Sequence, residues 1–178
     1  MNKFLKKAGI WIGAILLALI LFSFLLPREV NVSRSITIDA PIDRVFEQVN
    51  DLRNWEKWSP WKRMDPMMEM TFSNPPVGQG AYYKWVSTDK QMGSGTMTLA
   101  KVVNNEEIVT ALHNEKWGDG SSTFKFAHKN KEVRVTWEMN NDLGVMPWNK
   151  YFGMMMRSEM KKQFDKGLEG IKFYAEKS

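Results

Sequence analysis

The sequence predicts an α+β protein, one domain of about 150 residues behind an N-terminal transmembrane helix. Three features of the 178 residues carry this reading: an uncharged apolar run over residues 8–26, seven later segments in which apolar and polar residues alternate, and a change to helical periodicity from Tyr151 onward. Alternation is the mark of half-buried strands, and a 3.6-residue repeat that of an amphipathic helix.

The first run, AGIWIGAILLALILFSFLL, is 19 residues long. At 1.5 Å per residue that is enough to cross a hydrocarbon core about 30 Å thick. A cleaved signal peptide would have a shorter apolar stretch and a small-x-small exit, and Phe22-Ser23-Phe24-Leu25-Leu26-Pro27 offers no such site. Lys3, Lys6 and Lys7 precede the run, whereas Arg28 is followed at once by Glu29. The N-terminus is therefore expected in the cytoplasm and the domain on the periplasmic or extracellular side. This divides the chain into an anchor, residues 1–28, and a domain, residues 29–178, with too short a linker for the domain to stand far from a bilayer.

The net charge of +5 and the pI near 9.3 belong to that anchor. Removing Lys3, Lys6, Lys7 and Arg28 from the 25 basic residues leaves 21 against 20 acids. A nearly neutral domain gives no electrostatic footprint for nucleic acid. The absence of cysteine excludes disulfides, thiolate metal sites and cysteine nucleophiles.

Within the domain, Val30, Val32, Ile36 and Ile38 share one face of a first strand, broken only by Arg34. Asp39-Ala40-Pro41 supplies a capping residue and a proline at a helix start, and Ile42, Val45, Phe46 and Val49 then recur at helical spacing. Residues 51–61 read as a second short helix, stopped by Pro60, with Leu52, Trp55 and Trp58 turned inward. Six strands follow over residues 68–72, 81–87, 95–103, 108–117, 121–128 and 132–140. Turns at Asn74-Pro75-Pro76, 77–80, Asn104-Asn105, Gly118-Asp119-Gly120 and Asn130 separate them. Links this short imply an antiparallel meander. Phe152, Met156, Met160, Phe164, Leu168, Ile171 and Tyr174 form one stripe of a long final helix.

Several strings resemble the START and polyketide-cyclase-like superfamily, often called SRPBCC. They are Ser35-Ile36-Thr37-Ile38-Asp39-Ala40-Pro41, then Asp51-Leu52 to Trp55 with Trp58-Ser59-Pro60-Trp61, Gly78-Gln79-Gly80 before Trp85, Gly93-Ser94-Gly95, Val133-Arg134-Val135-Thr136-Trp137, and Lys166-Gly167-Leu168-Glu169-Gly170-Ile171-Lys172. The tryptophan string is the most specific, and the chain is similar in particular to membrane-anchored bacterial members of polyketide cyclase or dehydrase type. The resemblance implies the helix-grip fold, a curved antiparallel sheet wrapped around a long C-terminal helix with two short helices after the first strand, and a hydrophobic tunnel between sheet and helix. Its members include lipid carriers, ring cyclases, quinone-binding proteins and co-chaperone-like modules, so it implies no single function.

Parity and periodicity turn Tyr83, Trp85, Met97, Leu99, Phe124, Phe126, Val135, Trp137, Met156, Met160 and Phe164 inward, as tunnel lining or as plain core. Tyr83, Arg134 and His113 are candidate orienting groups, and Arg34 a candidate partner for an anionic head group. A two-residue turn at Gly118-Asp119 would set His113 opposite Phe124, four residues out of register with His128, roughly 13 Å away at about 3.3 Å per residue. No shared metal is then possible, no serine triad or phosphate-cradling loop is recognisable, and no cofactor is expected. The expected function is a membrane-tethered binding or carrier module for a lipid-like, isoprenoid or aromatic molecule. The alternatives are a cyclase or dehydratase type of enzyme, for which no acid and base pair is identifiable, and a protein-interaction module with a collapsed interior.

Overall fold

Alternation in the sequence becomes seven strands of a single curved antiparallel sheet in the computed structural model, which describes residues 3–116, 118–129, 132–144 and 146–177. Trp117 and Asn130, read above as a strand end and a turn, lie outside the described residues. The elements are α1 (Lys3–Ser23), β1 (Glu29–Ile38), α2 (Ile42–Asn50), a 3₁₀ turn (Leu52–Asn54), α3 (Trp55–Trp58), α4 (Pro60–Met64), β2 (Glu69–Phe72), β3 (Tyr82–Val86), β4 (Ser94–Val103), β5 (Glu107–Asn114), β6 (Gly118–Lys129), β7 (Glu132–Asp142) and α5 (Pro147–Lys177). The sheet order β1-β7-β6-β5-β4-β3-β2 is a meander closed by one long-range step, in which β1 pairs with β7 from Glu29↔Asp142 to Ile38↔Val133.

One face of the sheet is apolar because the strands alternate, with one register shift in β4 between Leu99 and Lys101: Ile36 and Ile38, Val133, Val135 and Trp137, Phe124 and Phe126, Ile108, Leu99, and Tyr83 and Trp85 all point to it. α5 lies across this face, and α2 with α3 fills one end. The indole N–H groups of Trp55 and Trp58 donate to the carbonyls of Val49 and Gln48, at 2.9 and 2.8 Å. These carbonyls sit in the last turn of α2, where no intrahelical donor remains. Trp55 and Trp58 are thus packing residues that also cap a helix.

Three expectations are corrected. Pro60 does not close the second helix. The chain breaks at Ser59, and Pro60 opens α4 from its first turn, where a missing N–H costs nothing. The β5–β6 hairpin turns earlier than Gly118-Asp119, pairing Asn114 with Gly118 and His113 with Asp119. His128 then lies nine ladder positions beyond the partner of His113, about 30 Å at 3.3 Å per residue. The third concerns α1, expected to be a full span. It closes at Ser23, whose hydroxyl donates to the Ile20 carbonyl at 2.6 Å, so only residues 8–23 of the uncharged run are helical, about 24 Å. Among the described residues no helix is long and apolar enough to cross a membrane.

α1 is also attached laterally. The Tyr151 hydroxyl donates to the Leu19 carbonyl at 2.6 Å, and the Lys150 ammonium to the Ser23 carbonyl at 3.0 Å.

Candidate functional site

The layer between sheet and α5 is solid over much of its length. Trp137 is stacked between Phe164, 4.0 Å away and nearly parallel, and Phe124, at 4.5 Å. Trp58 meets Trp137 and Phe124 edge-on, and Trp55 reaches Tyr83 and Phe124. Glycines let the helix press this close. A β-carbon on Gly167 would lie 2.7 Å from the Trp137 ring, and one on Gly170 2.9 Å from the β-carbon of Trp58. Of the eleven residues read as tunnel lining, nine (Tyr83, Trp85, Met97, Leu99, Phe124, Phe126, Val135, Trp137 and Phe164) are buried against one another in this core, and Met156 and Met160 are half-buried on α5. Burial also pushes the Tyr83 phenol above its ordinary pKa.

Open space lies farther along α5. A cleft of about 610 Å³ separates the helix from β1, β7 and β6. Its floor is one cross-strand row, Val32–Met139–Ser122, with the strand neighbours of each residue forming the sides. Its roof is Arg157 and Lys161, one turn apart on α5. The helix touches the sheet side again beyond the cleft, where a β-carbon on Gly153 would meet Leu143 at 2.3 Å and Val30 at 2.9 Å. The cleft is therefore bracketed by two glycine-mediated contacts.

Polar groups connect this cleft to the core. The Trp137 indole N–H donates to the Ser122 hydroxyl at 3.0 Å, and Ser122 and Thr110 share a hydroxyl hydrogen bond of 2.8 Å. Glu138 borders the cleft but turns its carboxylate to the outer face of the sheet, where Lys125 holds it at 2.6 Å, and that hydrogen bond raises the Lys125 pKa. Arg157 and Lys161 have no ion-pair partner among the described residues. A second groove of about 320 Å³ contains Arg34, but there the guanidinium is bonded to Asp165 of α5. Arg134 and His113 lie on the outer face of the sheet, and His113 bonds Asp119 at 2.6 Å, so neither reaches the interior. Among the described residues no group of three or more histidine, aspartate or glutamate side chains could hold a metal ion.

Sequence reasoning put Val32 on the apolar face of the first strand but gave no site role to Arg157, and it set Lys161 off the apolar stripe of the last helix. Lys161 is four residues before Asp165, the spacing of an ordinary helix-surface ion pair, which hides it in sequence. In space Asp165 has turned to Arg34 instead.

A meander sheet gripping one long C-terminal helix, with short helices after the first strand and a cleft beneath the helix, defines the helix-grip class of domains. Residues 29–176 match the family model described as polyketide cyclase / dehydrase and lipid transport, and the chain belongs to that family. No curated protein matches it. Among solved structures it is similar to the di-domain ARO/CYC StfQ from the steffimycin biosynthetic pathway, at TM-score 0.62 and 11% identity over 84% of this chain and 52% of that one. It is similar also to the Aha1 dimer from Colwellia psychrerythraea, at TM-score 0.58 and 14% identity over 83% and 96%. A third likeness is CalU16 from Micromonospora echinospora, at TM-score 0.56 and 10% identity over 82% and 75%. At such identities these likenesses establish the fold alone.

Proposed function

We propose that this protein is a binding module that takes a hydrophobic small molecule into the cleft between its sheet and α5, while tethered to a membrane by its N-terminal segment. The cleft itself carries the reading. Its volume of about 610 Å³ falls within the range of about 300–1,000 Å³ usual for small-molecule sites, and two apolar residues, Val32 and Met139, stand among polar ones that can orient a ligand. A binding role fits better than proton-transfer chemistry because, among the described residues, Glu138 is the one acid that borders the cleft and its carboxylate turns to Lys125 on the outer face of the sheet, and no histidine lines the cleft.

The tether has separate support. Trp11, Phe24 and Leu25 are 70–79% exposed, a state costly in water and favourable in lipid. Beyond Ser23 the apolar chain continues in 3₁₀-like turns, Phe24 N–H to Leu21, Leu25 to Phe22 and Leu26 to Ser23. These add about 6 Å to the 24 Å of helix, approaching the thickness of a hydrocarbon core. The start of α5, bonded to α1, exposes Trp148, Met154 and Met155. With lysines leading the segment, the domain would face the periplasm or cell exterior.

Native mass spectrometry of the full chain released from membranes tests the binding role. A stoichiometric apolar ligand is the expected result, and a chain that is empty and takes up no added fatty acid or isoprenoid would refute it. Retention in the membrane pellet after alkaline carbonate washing, with the domain open to protease from outside, is expected for the tether; release into the wash would refute it.

A further inference from the structure

We infer that the molecule bound in the cleft carries an anionic group, a carboxylate or a phosphate ester, seated between Arg157 and Lys161 with its apolar body over Val32 and Met139. This rests on the cleft being the ligand site.

Three observations lead there. Arg157 and Lys161 are like charges at i and i+4 on one helix, an arrangement that costs rather than stabilises unless an anion sits between them. Some other cations of the domain have acids: Arg28 has Asp142, Arg34 has Asp165, Lys125 has Glu138 and Lys172 has Glu176. The acids that could serve the cleft pair are withdrawn. Asp165, one turn beyond Lys161, is bonded by Arg34 from β1, and Glu138 turns its carboxylate to the outer face of the sheet, where Lys125 bonds it. The result is a concave site with two unneutralised cations on one side and, on the other, a floor of Val32, Met139 and the Ser122 hydroxyl. A guanidinium presents paired N–H donors matched to carboxylate and phosphate oxygens, and an ammonium adds a second point charge. Arg34, the one residue that broke the apolar face of β1, therefore has a role: it keeps Asp165 away from Lys161.

The test uses the full chain in neutral phosphatidylcholine nanodiscs and photolabelling with diazirine-bearing palmitic acid, the matching diazirine-bearing alcohol, and a diazirine-bearing phosphatidic acid, read as label on the peptide containing Met139. At least one acidic probe is expected to label that peptide tenfold or more above the alcohol, and whichever acid does so identifies a free fatty acid or a phospholipid as the source. The double variant Arg157→Gln/Lys161→Gln is expected to bring acid labelling down to the alcohol level. Lys162→Gln, on a lysine bridged to Glu159 and off the cleft, is expected to leave it unchanged. Arg34→Gln, which returns Asp165 to Lys161 without touching either cation, is expected to lower acid labelling severalfold. Alcohol labelling equal to acid labelling, or acid labelling indifferent to the double variant, would overturn the anionic assignment and leave the cleft as a ligand site. Labelling of the Met139 peptide by none of the probes would overturn the cleft reading itself.

Discussion

The same helix meets the same sheet in two ways. Around Gly167 and Gly170, α5 presses onto Trp137 and Trp58 until ring meets ring; around Arg157 and Lys161 it stands off and leaves about 610 Å³ of open space. Backbone geometry differs little between the two stretches. What differs is what the helix presents: the absence of a β-carbon where an indole must fit, and long charged side chains where none must. Interiors pack at crystal-like density only where side-chain volumes fill the gap, so a gap between layers is a choice made by a few residues.

The contrast is broken most severely by Trp137→Ala. Removing the ring sandwiched between Phe124 and Phe164 is expected to lower unfolding free energy by ~3–5 kcal/mol in denaturant titration. A loss under about 1 kcal/mol would mean that this stretch is not close-packed. Ser122→Ala probes the seam between the two stretches. It strands the buried Trp137 indole N–H and is expected to cost ~1–3 kcal/mol, unless a ligand or water reaches the vacated position.

A smaller effect is expected at Glu159, on the open stretch, which accepts a hydrogen bond of 2.6 Å from the amide of buried Gln163. That bond, with Lys162 nearby, holds the Glu159 carboxyl below its ordinary value of 4.5. A lowered folded-state pKa contributes stability above the unfolded value and loses it as pH falls through the folded one. The stability difference between the natural protein and Glu159→Gln is therefore expected to be constant above about pH 5 and to shrink below 4.5; a difference that grows on acidification would contradict the pairing. Smallest of all, Arg157→Gln is expected to raise stability by ~0.2–0.5 kcal/mol in ligand-free protein, through relief of like-charge repulsion. A loss of stability would show that Arg157 has a structural partner.

The strands were legible in the sequence because period-2 alternation survives wherever one face is buried, and the meander followed from the short turns. The proline at residue 60 misled because a residue that ends one helix can begin the next. The hairpin register misled because Gly118-Asp119 looked like a turn and is in fact the start of β6. Nine of the eleven residues read as inward are buried, but parity cannot say whether inward side chains meet. That depends on how near α5 comes, and so on Gly167, Gly170 and Gly153 acting through partners far away in sequence. Arg157 and Lys161 were hidden for the related reason that Asp165 answers to Arg34, 131 residues distant.

The pairing of β1 with β7 has a consequence in time. Glu29 finds its partner only when Asp142 has been made, 113 residues later. At a synthesis rate of about 5–20 residues per second, the first strand waits on the order of ten seconds with its backbone donors and acceptors unclaimed. During that interval the alternating Val30-Asn31-Val32 segment is an open template for any other extended chain. The ribosome, more than the finished fold, sets the period in which this protein is most exposed to misassembly.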